Sequence, residues 1–418
     1  MGETAKYRSL RGMPDILPKE AAAIRWMERE AGKVFRTFGY GEVRTPLLEE
    51  TEVFTRSIGE DTDIVEKEIY SFSDRGGKNI SLRPEGTASM VRAYIEHGWH
   101  NDQGPVKLFY TGAMFRGERP QKGRLRQFHQ IGAEIIGGSG PYIDAELIFS
   151  LVLLLKGLKI EGFTVLVNSL GCNSDRNGYK KALAEYLAGR VSGLCDNCRR
   201  RSVTNVLRVL DCKREECREI VKGAPDIRDF LCAKCGEDYG ALKSILSGMG
   251  VEFREKSDMV RGLDYYTGMI FEVIHPSLGA QDAIAAGGRY DGLVKQMGGP
   301  DVGATGYALG VERTMLLIDT ESGYSARLPG ALIVPVNAAA GDDAFRLAVR
   351  FWASGVPCEI DHSGRSFKGQ MRKAHKDGRK FVVILGEDEI KKGKMLLKNM
   401  ESGEQKELDF DAVVACLA

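Results

Sequence analysis

The spacing of the β-rich runs limits the fold of this chain more than any other feature of its sequence. Runs at 42–47, 80–83, 106–116, 128–136, 164–167 and 270–274 are short, and the helix-compatible stretches between them differ in length. Regular alternation of strand and helix would build a parallel sheet. Uneven spacing instead predicts an α+β domain, with a mainly antiparallel sheet flanked by helices. Ahead of these runs, apolar side chains recur at Ile24, Met27, Ala31, Val34 and Phe38. That is the period of an amphipathic helix over 18–38, with Pro18 suited to its first turn and Gly39-Tyr40-Gly41 ending it.

At 418 residues the chain is too long for one core, and its character changes twice. Residues 173–255 are charged, helix-compatible and carry six of the nine cysteines, which reads as an inserted helical subdomain. Glycine-rich, strand-like segments resume at Arg261 and run to about Ile318, and 321–329 (ESGYSARLP) has the composition of a linker. Beyond it, strand-like 331–336, 357–360 and 381–385 alternate with helical stretches, the pattern of an independent α/β domain. The expected organisation is an α+β domain over 1–325, interrupted at 173–255, and a C-terminal α/β domain over 330–418.

The charge is almost balanced, 59 Lys+Arg against 58 Asp+Glu, which excludes nucleic-acid binding through bulk basicity and leaves local patches. No apolar run approaches the ~18 residues of a membrane span. The opening residues MGETAKYRS have no apolar signal core, and Lys6 stands where a myristoylation signal needs Ser or Thr. The expected setting is cytoplasmic, without a membrane partner and with cysteines reduced or bound to metal.

Both common glycine-rich nucleotide motifs are missing, so any nucleotide must be held by another architecture. A basic loop joins two predicted strands: between Phe115 and Phe128 stand Arg116, Arg119, Lys122, Arg124 and Arg126, with Glu118 the one acid. By itself this is as compatible with a solvated hairpin tip. The following strand is more pointed, because its period of two puts Phe128, Gln130, Gly132 and Glu134 on one face and His129, Ile131, Ala133 and Ile135 on the other. An aromatic platform, an amide, a gap and a carboxylate fit a small polar ligand lying over Gly132, with a base stacked on Phe128. Further on, the small-residue run from Gly303 enters a helix with Arg313 in its first turn, where a cation opposes the helix dipole unless it meets an anion. In Arg83-Pro-Glu85-Gly86-Thr87, a carboxylate and a hydroxyl flank a glycine, which fits amine recognition and equally a capped turn.

These residues resemble a known family. The strand and loop around Arg116 look like motif 2 of the class II aminoacyl-tRNA synthetases, 303–318 looks like motif 3, and 41–47 with Pro46 looks like the motif 1 dimer segment. RGLDYYTG from Arg261 and GGRYDGL from Gly287 are similar to the signature segments of the histidyl-tRNA synthetases. The resemblance implies ATP held by Arg116, Glu118, Arg124 and Arg313 with adenine on Phe128, and Mg²⁺ on the pyrophosphate side. It implies L-histidine bound by Glu85, Gly86, Thr87, Gln130, Glu134, Tyr265 and Tyr266, with Arg261 and Arg116 as the catalytic cations. It further implies a homodimer, an anticodon-binding C-terminal domain, and tRNA(His) contacts from Arg119 and Gln121. The cationic stripe of Lys368, Arg372, Lys376 and Lys380, at helical spacing, is a second candidate tRNA surface, with a solvated helix face the plain alternative.

Cys195-x2-Cys198 and Cys232-x2-Cys235 have the form of a tetrathiolate structural Zn²⁺ site, with Cys212 and Cys217 between them; reduced buried thiols are the alternative. Two rival readings share the resemblance. A synthetase-like regulatory subunit of ATP phosphoribosyltransferase generally lacks the C-terminal domain and departs at signature residues. Synthetases for other amino acids are disfavoured by the RGLDYYTG and GGRYDGL segments.

Overall fold

The alternation at 128–136 is realised as the strand Gln127–Ile136, inside an eight-stranded sheet. The strand order is Gly41–Glu42, Val106–Phe115, Gln127–Ile136, Ala304–Gly310, Ala283–Arg289, Thr267–Ile274, Thr164–Ser169 and Phe253–Glu255. Every neighbouring pair is antiparallel except the outermost pair at each edge, which is parallel. The structure is a computed structural model that describes residues 7–318, apart from 60, 61 and 63, and residues 330–417, apart from 363. The linker expected at 321–329 and the segment 1–6 lie outside the described residues. The chain forms two units, Met1–Ser322 and Gly323–Ala418.

In the first unit the sheet face bearing Ile131, Ala133 and Ile135 is closed by the helices Pro18–Thr37 and Pro141–Gly157. Phe35 stacks on Phe109 at 4.8 Å between centroids, and the Tyr307 and Ser150 hydroxyls lie 3.4 Å apart. The first helix keeps Ile24, Met27 and Ala31 in the core, but Phe35 takes the place expected for Val34 and Phe38. The helix ends at Thr37, and Phe35 extends the four-residue step from Met27 and Ala31 on the buried face. The run expected at 42–47 is strand only at its start: Gly41–Glu42 joins the large sheet, 43–47 is irregular, and Leu48–Glu50 beyond it joins a separate three-stranded sheet. Pro46 offers no N–H, and the Thr45 carbonyl accepts from buried Arg83 at 3.0 Å rather than from a strand.

The opposite sheet face is floored by small residues. Registered rows place Gly132, Ala308 and Ala286 side by side, and Glu134 beside Gly306 and Gly288. Tyr110 pairs with Gly132, and a Cβ built on Gly132 or on Gly86 would overlap its ring. The space over Gly132, expected to hold a ligand, is therefore filled by an aromatic side chain covering a cross-strand glycine. Gly132→Ala should destabilise the protein by about 1–3 kcal/mol, as overpacking does. Thermal unfolding of this variant, alone and with Tyr110→Ala, checks the claim: fully additive losses would mean that Tyr110 is not what the methyl meets.

The expected insertion folds as the helices Asn173–Ala188, Asp196–Thr204, Glu215–Val221 and Ala233–Gly248, and Phe253–Glu255 returns as the edge strand of the large sheet. Its apolar residues Tyr179, Leu183, Val209 and Ile227 share one buried cluster with Tyr265, Tyr266 and Tyr290.

The second unit is a five-stranded sheet, ordered Cys358–Ile360, Ala331–Pro335, Phe381–Leu385, Met395–Asn399, Gln405–Leu408. Its first three strands are parallel and the other two join antiparallel. Ile333 and Val383 enter one apolar cluster and Leu332 and Val382 another, so these strands are buried on both faces, which explains their unbroken apolar runs. Among the described residues no helix is long and apolar enough to cross a membrane.

Candidate active site

The open face of the large sheet carries the site. Glu134 is wholly buried there, its Oε1 accepting from the Thr87 hydroxyl at 2.7 Å and its Oε2 from the Tyr290 hydroxyl at 2.5 Å. Gly306 makes this position possible, because a Cβ there would overlap Oε2. Burial pushes the Glu134 pKa up to about 8, with Glu85 adding repulsion and the two hydroxyls only partly opposing the shift. Glu85 is also buried; its carboxylate accepts from the Thr87 and Ala88 N–H groups at 2.6 and 2.8 Å, capping the helix Thr87–Glu96. The capped turn of the sequence is thus present, and it fixes a carboxylate beside Glu134.

Three tyrosines wall this pocket. Tyr265 lies 4.7 Å from Tyr266 and 5.6 Å, edge-on, from Tyr290 between ring centroids. The Gln130 Oε1 atom is buried without a hydrogen-bond partner, an acceptor waiting for a donor. Arg261 donates from Nη1 to Glu272 at 3.0 Å, and its Nε is buried without a partner. Burial opposes its charge, but Glu272 and Tyr266 more than compensate, and its pKa is raised. A cavity of about 130 Å³ opens beside it, lined among others by Arg176, Lys180, Arg208, Asp264 and Tyr266.

The basic loop closes the other end. Arg116 donates from Nε to the Pro84 carbonyl at 2.9 Å, and its guanidinium stands 5.3 Å from the Phe128 ring centroid. Arg124 pairs with Glu118 at 3.3 Å, and Arg313 reaches from its helix to the carbonyls of Gly123 and Ala283, each at 2.9 Å. Burial lowers the Arg313 pKa, and Arg124 and Arg116 lower it further. Arg116, Arg124 and Arg313 thus gather three cations at one end of the site, an arrangement that suits an anion. Arg119 and Gln121 stand exposed at the loop's tip. His129, on the other face, pairs with Glu312 at 2.7 Å.

Lys368, Arg372 and Lys376 belong to the second unit, exposed on the helix Phe367–Lys376. Lys380 does not extend their stripe, because Gly378 takes a positive φ of 66° after the helix ends. Arg365, Lys373 and Arg379 are tied to Asp361 and Glu359.

The expected ligand set Cys195, Cys198, Cys232 and Cys235 is not formed. Cys195 and Cys198 cluster with Cys212 and Cys217, whereas Cys232 and Cys235 lie with Cys172 and Asp175. The tertiary path of the helices decides which halves meet, and Cys-x2-Cys spacing does not encode it. Sequence reasoning also passed over Tyr290, Tyr110 and Glu272. Tyr290 lies inside the GGRYDGL segment already singled out, and Glu272 sits in the row of Gly132 and Ala286 on the open face.

A family model described as histidyl-tRNA synthetase matches residues 12–314, and one described as anticodon binding domain matches 331–418. A histidine–tRNA ligase of Thermodesulfovibrio yellowstonii is 45% identical over 409 residues, covering 98% of this chain and 97% of that protein. One from Geobacter metallireducens is 46% identical over 402 residues, covering 96% and 97%. The crystal structure of apo Staphylococcus aureus histidyl-tRNA synthetase superposes with a TM-score of 0.80 at 32% identity, covering 98% of this chain and 99% of that one. A large, mainly antiparallel sheet flanked by helices, joined to a C-terminal α/β domain, is the architecture of this class II aminoacyl-tRNA synthetase. Within that class, the chain belongs to the histidyl-tRNA synthetase family.

Proposed function

We propose that this chain is a cytoplasmic histidine–tRNA ligase, which joins L-histidine to ATP as histidyl-adenylate with release of pyrophosphate and then charges tRNA(His). The observation that carries the reading is the pairing of a buried carboxylate pocket, Glu134 with Thr87 and Tyr290, with three converging arginines across one sheet face. The imidazole takes the place beside Glu134 and Tyr266, and the α-amino group meets Glu85, Thr87 and the unpartnered Gln130 oxygen at the Gly86 turn. Adenine lies against Phe128, and Arg116, Arg124 and Arg313 take the phosphates, with Glu118 fixing the Arg124 fork.

No protein nucleophile is required. A histidine carboxylate oxygen bonds to the α-phosphorus as the bond to the bridging oxygen breaks, and pyrophosphate leaves with the electron pair. Arg261, holding Glu272 with one nitrogen and leaving Nε unpartnered, neutralises charge on the α-phosphoryl group. Glu118 and Glu272, half-buried among the arginines, are carboxylates of the kind a hydrated Mg²⁺ takes, and the ion would neutralise the leaving pyrophosphate. A terminal ribose hydroxyl of the tRNA then attacks the adenylate carbonyl and AMP departs. Arg119 and Gln121 serve the acceptor end, and Lys368, Arg372 and Lys376 serve the anticodon arm.

A homodimer accords with the partly exposed, largely apolar face of the three-stranded sheet. Register places Leu48, Leu82 and Tyr70 in one row and Glu50, Ile80 and Phe72 in the next, with Leu48 and Phe72 exposed and Glu50 paired with Lys78. The regulatory-subunit reading is less well supported, since Arg116, Arg261 and Arg313 accompany a matched anticodon-binding domain.

Amino-acid-dependent ATP–pyrophosphate exchange, followed by charging of unfractionated tRNA, tests the proposal. Exchange that requires histidine and yields histidyl-tRNA supports it; no exchange with any amino acid favours the regulator. Replacing Lys368, Arg372 and Lys376 together by alanine should leave exchange unchanged. The same variant should raise the KM for tRNA and lower the slope of log affinity against log salt by about one for each phosphate left without its cation. Equal loss in both reactions would remove the stripe from the tRNA surface.

A further inference from the structure

We propose that Cys195, Cys198, Cys212 and Cys217 hold a structural zinc ion, which clips the helical segment 199–211 against the segment bearing Arg261. The four Sγ atoms all lie within 4.8 Å of one another, and Cys195 Sγ and Cys212 Sγ are 3.9 Å apart. Tetrahedral zinc with bonds of about 2.3 Å separates its sulfurs by about 3.8 Å, so these side chains need only small rotations to become ligands. None of the cysteines is in a disulfide. Among the described residues no imidazole or carboxylate enters this cluster, and four soft sulfurs without an open position select zinc in a closed, structural role.

The local backbone is arranged around the sulfurs. Cys195 immediately precedes the helix Asp196–Thr204, with Cys198 in its first turn, and Cys217 lies in the first turn of the helix Glu215–Val221. The Cys195 N–H points at Cys217 Sγ, 3.3 Å away, the kind of outer hydrogen bond that orients and steadies a thiolate ligand. Cys198 and Cys217 are fully buried while Cys195 and Cys212 are half-exposed, giving an ion both a dry seat and a way in.

The span between the two cysteine pairs reaches the active-site segment. Asn205 donates from Nδ2 to both Asp264 carboxylate oxygens, at 3.0 and 3.2 Å, and Arg208 donates to the Arg261 carbonyl at 3.5 Å. Val206, Val209 and Leu210 anchor the second half of this span in the core, whereas residues 199–205 (RRRSVTN) are polar but for an exposed Val203, and a metal clip holds the half that the core does not. The ion therefore acts on Arg261 by positioning and takes no part in bond making. The second cluster differs in kind: Asp175 already accepts from the Cys172 N–H at 3.1 Å, and Cys232 is exposed.

The test uses the full chain purified without chelator. Elemental analysis should find zinc, with one equivalent lost in Cys198→Ser and in the half-exposed Cys212→Ser but kept in Cys232→Ser. Cobalt exchanged into the protein should give the charge-transfer and ligand-field absorption of a tetrahedral tetrathiolate. Chelation should lower the unfolding temperature and expose 199–211 to protease. Lack of zinc together with no cobalt spectrum overturns the proposal, as does metal that survives Cys212→Ser and departs with Cys232→Ser. Because Cys212 is half-exposed, its serine variant tests the site even where Cys198→Ser fails to fold.

Discussion

Replacing Arg261 by histidine should slow histidine-dependent ATP–pyrophosphate exchange by roughly 10²–10³-fold, the usual cost of removing one preorganised donor from a charge-stabilising site. The side chain is partly buried, bonded to Glu272 through one nitrogen, and presents a buried, unpartnered Nε. An imidazole is too short to hold Glu272 and also reach a phosphoryl oxygen. Since the substitution strips Glu272 of its partner, some stability is lost as well, and thermal unfolding has to be measured alongside. Arg261→Lys separates the two effects: it keeps the charge beside Glu272 but not the planar fork, so stability should recover more than rate. Exchange near the parent level in Arg261→His would deny this residue a catalytic role.

Glu134→Gln should lower kcat/KM for histidine by roughly 10–150-fold, the worth of a hydrogen bond to a charged group at about 1.5–3 kcal/mol. With its pKa near 8 and free imidazole near ~6.5, the carboxyl and the substrate ring share one proton around neutrality. An amide cannot take part in that exchange. The same substitution should stabilise the ligand-free protein at alkaline pH. Glu134 titrates near the ordinary glutamate value of 4.5 when unfolded and near 8 when folded, so the native state binds more protons across that interval and stability falls as pH rises through it. The variant should therefore gain on the parent progressively from about pH 4.5 to about pH 8 and hold a constant advantage above. Unfolding midpoints that move in parallel over that range would show that Glu134 does not carry the shift, and an unchanged KM for histidine would remove it from the specificity pocket.

How much could be read beforehand depended on whether a residue's partner was fixed by period or by tertiary path. Gln130 and Glu134 share a face because a strand alternates, and Arg313 enters a helix because a small-residue run stops at Gly310. Tyr110 over Gly132 needed the register of a neighbouring strand, and the cysteine grouping needed the route of four helices. Lys380 fell away from its stripe because of one left-handed glycine. Glu85 illustrates an ambiguity that geometry turned into a combination: the carboxylate that caps a helix also faces the proposed ligand pocket.

The small-residue floor bears on which sequence changes this protein can absorb. A methyl added at Gly306 would enter the Glu134 carboxylate, and one added at Gly132 or Gly86 would enter the Tyr110 ring. None of the three carries a side chain that can bind or react, yet each reserves the volume in which a neighbour that does must sit. Inactivating mutations should therefore gather at these glycines as well as at charged residues, and an alanine there should disable the chain while leaving every ligand-binding side chain in its sequence.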